Sequence, residues 1–231
     1  MRAAVVVGAL LAVLAVNVPA GSAADECKGL QVCIPVAGPW VAIPAGGAPV
    51  IANWRLVCPE GVVGGVDARV SEANVAVEFP GRIGSPVNPG ITTTKMLVFQ
   101  GTYAGRARKR TAYQPFIGCI PASGGGSRTP TALTPAADIK PGQPITVRAK
   151  TLTVEDGKLA RTTLACLPGE RLLRSSHSVG LYTPVVPTAQ ELAAVHVVRA
   201  RRGGKLLVSA TRRGLDPGLR AEVQVLAECA R

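Results

Sequence analysis

Residues 144–166 read PITVRAKTLTVEDGKLARTTLAC, and their pattern decides the fold class. Two runs of alternating apolar and polar residues flank Asp156-Gly157, a dipeptide that favours the two-residue turn of a β-hairpin. The same alternation recurs in residues 74–79, 194–198 and 221–226. Because 19 prolines and 26 glycines separate such runs at short intervals, the sequence predicts an all-β protein with one short helix near residues 188–194.

The six cysteines predict how the chain is organised. The third and fourth are 61 residues apart and the fifth and sixth are 63 apart, which indicates two rings of similar size. The even number of cysteines and the lack of a C-x-x-C pair favour disulfides over a zinc site. We therefore expect three disulfides: Cys27–Cys33, Cys58–Cys119 and Cys166–Cys229.

The residues around the two large rings also match. Each opening cysteine follows Leu-Val or Leu-Ala, and a glycine comes three residues after it, Gly61 in the first copy and Gly169 in the second. Counting the same distance back from each closing cysteine reaches Lys95 in the first copy and Lys205 in the second. These matches predict an internal repeat, that is, a duplicated domain.

A flexible stretch, SGGGSRTPT at residues 123–131, separates the two copies. Each copy is expected to be a small disulfide-stapled β-sandwich of immunoglobulin-like geometry, although no tryptophan follows either opening cysteine and no final strand fits after Cys229. The expected segments are a signal peptide at 1–24, a first β domain at 25–122, a linker at 123–135 and a second, basic β domain at 136–231.

The first 24 residues, MRAAVVVGALLAVLAVNVPAGSAA, have the layout of a secretory signal. Arg2 precedes an apolar run at residues 3–16, and small residues follow Pro19, so we expect cleavage between Ala24 and Asp25. An uncleaved membrane anchor is the alternative, but this run is shorter than the roughly 20 residues that a span needs. The mature protein is therefore expected to be secreted or associated with the cell envelope, with no transmembrane segment.

Positive charge is the compositional feature that points to a function. The formal net charge is +12, and the excess of arginine over lysine, with abundant Ala, Val, Gly and Pro, is typical of a GC-rich bacterial genome. A basic face in the second domain would attract an anionic cell-surface polymer, lipid headgroups or nucleic acid, whereas the alternative is a solvated surface. The candidate contacts are Arg106, Arg108, Lys109, Arg110, Arg199, Arg201, Arg202, Lys205, Arg212 and Arg213.

No motif specifies catalysis, a metal ion or a cofactor. His177 lies among three serines, but the G-x-S-x-G turn of hydrolases is absent and residues 174–179 are expected to form a polar loop. His196 is expected on the exposed face of a strand. A carboxylate pair that shares a strand face, Glu72 and Glu78, is the other candidate for hydrolysis.

Two further features are candidates for ligand binding. Exposed aromatic rings often stack on sugars, and the two tryptophans, Trp40 and Trp54, lie in the first half. Trp54 precedes the run that leads into the third cysteine, so a core position is expected for it. The turn-rich segment at residues 84–94 is expected to be a loop at one end of the first domain.

These patterns predict an exported, non-enzymatic binding or structural module of the cell envelope or extracellular space, in contact with anionic polymers. The alternatives are a secreted hydrolase with a hidden acid pair or Ser/His site, and a structural protein whose charge only keeps it soluble. No cofactor is expected.

Overall fold

A computed structural model of the chain describes residues 25–30, 32–45, 50–79, 95–105, 109–121 and 145–230. Within these ranges the chain is all-β, with one short helix. The first half contains β1 Ile34–Ala37, β2 Trp40–Ile43, β3 Ala52–Val57, β4 Val62–Val70, β5 Val75–Glu78, β6 Met96–Tyr103 and β7 Thr111–Ile120. The second half contains β8 Ile145–Val154, β9 Ala160–Ala165, β10 Arg171–Tyr182, α1 Ala189–Ala193, β11 Val195–Arg202, β12 Lys205–Arg212 and β13 Arg220–Ala230.

The strands form one seven-stranded sheet and two three-stranded sheets, and every pair of named strands is antiparallel. The central sheet has the order β4-β7-β2-β10-β13-β8, with β1 beside β2 on the same edge of β7. The smaller sheets have the orders β3-β6-β5 and β9-β12-β11. The central sheet therefore contains strands of both halves, joined where β2 pairs with β10.

The two halves contain similar patterns of strand pairing around their long disulfides. The strand that leads to each opening cysteine is β3 or β9, and it pairs with the second-last strand of its half, β6 or β12. The next strand, β4 or β10, pairs with the strand that carries the closing cysteine. Both of these pairings contain a register shift next to the closing cysteine, between Val63 and Gly65 and between Leu172 and Arg174.

The structure does not support one of the sequence matches that predict the repeat, the match between Lys95 and Lys205. Leu97 is paired with Leu56, and Leu206 is paired with Leu164, and both Leu97 and Leu206 are buried. By burial and pairing, Leu97 therefore corresponds to Leu206. The residue that corresponds to Lys205 is Met96, so the lysine match is a coincidence of counting.

The predicted hairpin at residues 144–166 is wrong, although both of its strands are present. β8 pairs with β13 in the central sheet, whereas β9 pairs with β12 in a three-stranded sheet. The Asp156-Gly157 turn, with φ of +66° at Gly157, therefore carries the chain from one sheet to another. The short helix is confirmed as α1, and a capping box between Thr188 and Glu191 begins it.

Two hydrophobic cores lie on opposite faces of the central sheet. Trp40 and Ala42 pack with β12 and β13, whereas Val41 and Ile43 pack with β3 and β6. Successive side chains of a strand point to opposite faces, so β2 contributes to both cores. The two three-stranded sheets therefore cover opposite faces of the central sheet, and β2 is the strand that both halves share.

The structure contains the three expected disulfides, Cys27–Cys33, Cys58–Cys119 and Cys166–Cys229. Each long one joins the end of a strand in a three-stranded sheet to the central sheet. The expected signal peptide, the linker, the 84–94 loop, Arg106 and Arg108 lie outside the described residues. Among the described residues, no helix has the length and apolarity needed to cross a bilayer.

Candidate functional site

The β11–β12 hairpin carries most of the candidate cations of the second half. Its turn is Gly203-Gly204, where φ is +52° and +77°, so both central residues have the left-handed conformation that a type I′ turn needs. Arg202 pairs with Lys205 beside the turn, whereas Arg212 lies at the far end of the hairpin. Seven residues of strand separate the two ends by about 24 Å, so the arginine groups at the two ends do not form one continuous cluster.

Arg199 and Arg201 point toward the central sheet. Arg199 Nη1 donates a hydrogen bond to Ser175 O at 3.0 Å, and Arg201 Nη2 donates to Leu172 O at 2.7 Å. β13 pairs with this part of β10 on one edge, whereas β2 reaches only Gly180 and Leu181 on the other edge. The two guanidinium groups therefore bridge the edges of the two sheets, which is a structural role.

Arg212 is buried, and its Nη1 donates to Leu219 O. Arg213 is exposed at the same end of the hairpin. Neither side chain joins the cations near the Gly-Gly turn.

The two candidate cations of the first half that the structure describes, Lys109 and Arg110, also have partners. Lys109 forms an ion pair with Glu72, and this contact lowers the pKa of the Glu72 carboxyl and raises the pKa of the Lys109 ammonium. Arg110 Nη1 donates to Leu192 O at 3.5 Å and so links the first half to α1.

Three cations border a concave surface that encloses about 820 Å³ against the outward face of the β9-β12-β11 sheet: Arg161 and Arg202 of that sheet and Lys150 of β8. Alternation along the strands sets this face, since Leu206 and Val208 point into the core while their neighbours point outward. We call it the outer face. Its concave part is lined by atoms of Lys150, Arg161, Thr162, Thr163, Val198, Ala200, Arg202, Leu207, Val208 and Ser209, of which Thr162 and Val208 have inward side chains.

No carboxylate lines this concave surface. Two of the described acidic side chains near this surface in sequence have other partners, because Glu155 pairs with Lys158 and Glu170 pairs with Arg148. Lys150 Nζ donates to Thr163 O at 3.4 Å, which holds its ammonium at the rim. The concave part of the outer face therefore presents three cations and the hydroxyl groups of Thr163 and Ser209 beside exposed apolar carbons, and Lys205, paired with Arg202, adds a fourth cation to the same face. This composition can bind anionic groups.

His177 lies in β10, so the predicted polar loop at residues 174–179 is wrong. It pairs with Val225 and faces the core that contains Trp40 and Ala42, called the second core, whereas Ser176 and Ser178 point to the opposite face. Burial, and to a smaller extent the charge of Arg199, lowers the pKa of His177 to about 4. A histidine that is neutral and weakly basic at neutral pH, next to a cation, is poorly suited to general-base catalysis.

The other candidates from the sequence are not brought together as a site. His196 is exposed on β11, and Glu78 is the exposed last residue of β5. Glu72 lies in the preceding turn and is paired with Lys109. Trp40 and Trp54 are both buried in the cores, so neither presents a ring for stacking on a ligand.

Sequence reasoning missed two groups of polar residues. The first group is Lys150 and Arg161, which have no directly adjacent cations that mark them in the sequence. They lie in β8 and β9, and only the arrangement of these strands in the fold brings them to the outer face. The second group is Tyr182, Arg220 and Glu222: Tyr182 Oη donates to Glu222 at 3.2 Å, and Arg220 stacks 4.6 Å from the Tyr182 ring centroid. Burial and Glu222 raise the pKa of Tyr182 to about 12. Because Tyr182 lies in β10 and Glu222 in β13, the hydrogen bond between them links these two strands.

The described residues hold one geometric arrangement that resembles a metal site. Cys166, Glu170 and Cys229 have potential ligand atoms within 4.8 Å of one another. The two cysteines are joined in a disulfide, and Glu170 is held by Arg148, so these atoms are not available to bind a metal ion.

A scan against protein-family models and searches among curated proteins and solved structures returned no match.

Proposed function

We propose that the protein is an exported, non-enzymatic binding module that holds an anionic cell-surface polymer on the outer face of its second half. The supporting observation is the concave surface that Lys150, Arg161 and Arg202 border, with no carboxylate among its lining residues. Uncompensated cations around a concave surface attract anions, and nearby hydroxyl groups add neutral hydrogen bonds.

The spacing of the cations favours a polymer over a single small anion. Arg202 faces Lys205 and Arg161 faces Ser209, and these two rows are four residues apart along β12. This separation corresponds to about 13 Å along the strand. One phosphate or carboxylate cannot contact cations that far apart, whereas successive charged groups of a flexible chain can. The exposed side chains of Val198 and Leu207 offer contacts for the apolar parts of its repeating units.

Export is part of the proposal. Residues 1–24 have the three-part layout of a cleavable signal, and we infer cleavage between Ala24 and Asp25. Three disulfides with no free cysteine among the described residues suit an oxidising compartment outside the cytosol. Polymers with many phosphate or carboxylate groups are found at such cell surfaces, which is where the outer face would meet one.

We also propose that residues 25–122 and 136–231 are duplicated domains of immunoglobulin-like geometry that share one sheet. In the second half, β9, β11 and β12 pair as strands B, D and E of an immunoglobulin domain do, and β10 pairs with β13 as C does with F. The disulfide joins the positions of B and F. The N-terminal strand β8 lies beside β13, where a final strand would lie in an immunoglobulin domain.

Retention on polyphosphate beads tests the binding proposal. Replacing Lys150, Arg161 and Arg202 with glutamine removes the rim cations. A matched control replaces Arg171, Arg174 and Arg213, which are exposed cations away from the outer face, so net charge is the same in both variants. The logarithm of the binding constant should decrease linearly with the logarithm of the salt concentration. We expect this dependence to become less steep by about 2 in the rim variant only, because it has three fewer cations in contact with the polymer.

Equal loss of retention in the two variants would contradict the proposal, because it would show that net charge alone drives binding. Vesicles with anionic lipids and single-stranded DNA serve as competing probes. Tighter binding to either of them, dependent on the same three cations, would assign the outer face to that ligand instead.

A further inference from the structure

A carboxylate of β4 holds the first described residue of the chain. The backbone nitrogen of Asp25 donates a hydrogen bond to Asp67 Oδ2 at 2.8 Å. The other oxygen, Asp67 Oδ1, accepts a hydrogen bond from the backbone nitrogen of Ala68 at 2.7 Å. Because both oxygens are engaged, the carboxylate has a fixed orientation toward Asp25.

Glycines in two strands let the segment that follows Asp25 lie directly on the central sheet. A Cβ at Gly65 would lie 1.8 Å from the carbonyl oxygen of Glu26, and a Cβ at Gly118 would lie 2.3 Å from the same atom. Gly65 pairs with Gly118 across β4 and β7, so the two glycines form one flat seat. Any side chain at either position would push the segment away from the sheet.

The segment is also fixed by its own bonds. The Cys27–Cys33 disulfide closes it, and two turns form where Lys28 N donates to Asp25 O at 3.0 Å and Leu30 N donates to Cys27 O at 3.1 Å. The position of the Asp25 nitrogen is therefore set by packing and covalent structure, independently of the charge that this nitrogen carries.

We infer that Asp67 is the acceptor for the α-ammonium group that signal-peptide cleavage creates at Asp25. This inference rests on the proposed cleavage between Ala24 and Asp25. Hydrolysis of that peptide bond by water, catalysed by a signal peptidase, leaves a carboxylate on Ala24 and an amine on Asp25, which takes up a proton at neutral pH. The hydrogen bond between an amide and a carboxylate becomes an ion pair, which is the stronger interaction.

Three other charged side chains belong to the segments that meet at this contact. The Asp25 carboxylate lies 3.6 Å from Lys28 Nζ, and Glu26 is buried beside the glycine seat. Arg69, two residues along β4 from Asp67, has its guanidinium 5.1 Å from the centroid of the Phe116 ring. The described residues of β1 carry no ionisable side chain, and Tyr113, the one such residue of β7, is in the core. Processing would therefore strengthen the attachment of the N-terminal segment to the first half.

Thermal unfolding of two chains at pH 7 tests the inference, one that begins at Asp25 and one that begins at Ala23. We expect the Asp25 chain to have the higher Tm by about 2–4 °C. Asp67→Asn should lower the Tm of both chains, because each loses an acceptor for the backbone nitrogen of Asp25, but the loss should be larger by about 2–4 °C in the Asp25 chain, which also loses the ion pair. Glu60→Gln, which removes an exposed carboxylate elsewhere, is the control and should change neither.

Equal effects of Asp67→Asn on both chains, or equal Tm values for the two unmutated chains, would overturn the inference. The pKa of the α-amine, followed by NMR after ¹³C-dimethylation, gives a second reading. It should be higher in the Asp25 chain than in its Asp67→Asn variant, and equal values would also overturn the inference. The mass of the secreted protein tests the cleavage site separately, since a chain that begins elsewhere would refute processing at Asp25 while the recombinant chains still test the ion pair.

Discussion

Gly61 and Gly169 stand three residues after the opening cysteines, and both have a positive φ, of +73° and +83°. This is the left-handed conformation that side chains with a Cβ adopt only at a cost. The surroundings of the two glycines differ, however. A Cβ at Gly61 would lie 1.8 Å from the carbonyl oxygen of Ile120, whereas a Cβ at Gly169 would meet nothing within 4 Å.

Substitution of these glycines should therefore separate backbone strain from collision. Gly169→Ala should lower the free energy of unfolding by about 1 kcal/mol, which is the cost of the left-handed conformation. Gly61→Ala adds a collision with backbone and should cost at least about 2 kcal/mol more. Urea unfolding of the two variants measures both values, and equal losses would contradict the difference in surroundings.

His177 should make stability depend on pH. Its pKa is about 4 in the folded protein and about 6.5 when unfolded, so the stability that its neutral form contributes is complete above pH 6.5 and is lost as pH falls toward 4. After a discount for partial exposure, the loss is about 1–2 kcal/mol. His177→Gln should remove this part of the dependence between pH 7 and pH 4.5. His196→Gln, at an exposed position, is the control; identical pH profiles for His177→Gln and the unmutated protein would contradict the assignment.

At the scale of strands, the sequence predicted which segments are extended better than it predicted their partners. The alternation at residues 194–198 and 221–226 became β11 and β13, because the period of a strand is a local property. The partner of a strand depends on the path of the turn, and the Asp156-Gly157 turn is compatible with a crossing between sheets as well as with a hairpin. A hairpin turn does form at Gly203-Gly204, and this dipeptide is the sequence signal that could have predicted the β11–β12 hairpin.

The arginines of the β11–β12 hairpin show the same limit. Sequence reasoning grouped Arg199, Arg201 and Arg202 by proximity, but alternation along β11 turns the first two toward β10 and the third toward solvent. The outer face also draws Lys150 and Arg161 from two other strands. The excess of positive charge could indicate that a basic surface exists. Which residues form that surface depends on the arrangement of strands that lie far apart in sequence.

Removal of the inward arginines should loosen the edge between β10 and β11. Arg201→Gln leaves the carbonyl of Leu172 without its charged donor and should lower the free energy of unfolding by about 1–2 kcal/mol. Hydrogen exchange at the β11 amides should become faster in the same variant. Arg202→Gln changes the neighbouring outward residue and should stay within about 0.5 kcal/mol of the unmutated protein. Equal losses in the two variants would contradict the division of the arginines between faces.

At the scale of the whole molecule, the two halves depend on one another through β2. Trp40 and Ala42 belong to the second core although they precede the first large disulfide ring. Side chains on the other face of the central sheet also link the two halves. Gln224 Nε2 donates to Arg55 O at 3.0 Å, and Asn53 Nδ2 donates to Ser176 Oγ at 3.2 Å. The cysteine spacing predicted two rings correctly, but spacing within a ring carries no information on contacts between rings.

The shared strand should make the second half unstable when it is expressed alone. A fragment of residues 136–231 lacks Trp40 and Ala42 and leaves the Trp40–Val41 partners on β10 uncovered, so we expect a Tm well below that of the full chain. Adding the oxidised 25–122 fragment should raise this Tm. A 136–231 fragment as stable as the full chain would show that the shared strand contributes little.

Hydrogen exchange of the mature protein with and without polyphosphate is the most direct test of the proposed function, because it locates the bound polymer. We predict that bound polyphosphate slows exchange only at the backbone amides of the outer face, residues 161–163, 198–202 and 205–209. Slower exchange centred on Arg171, Arg174 or Arg213, or spread evenly over the surface, would contradict it, because the polymer would then be responding to net charge and not to the concave surface.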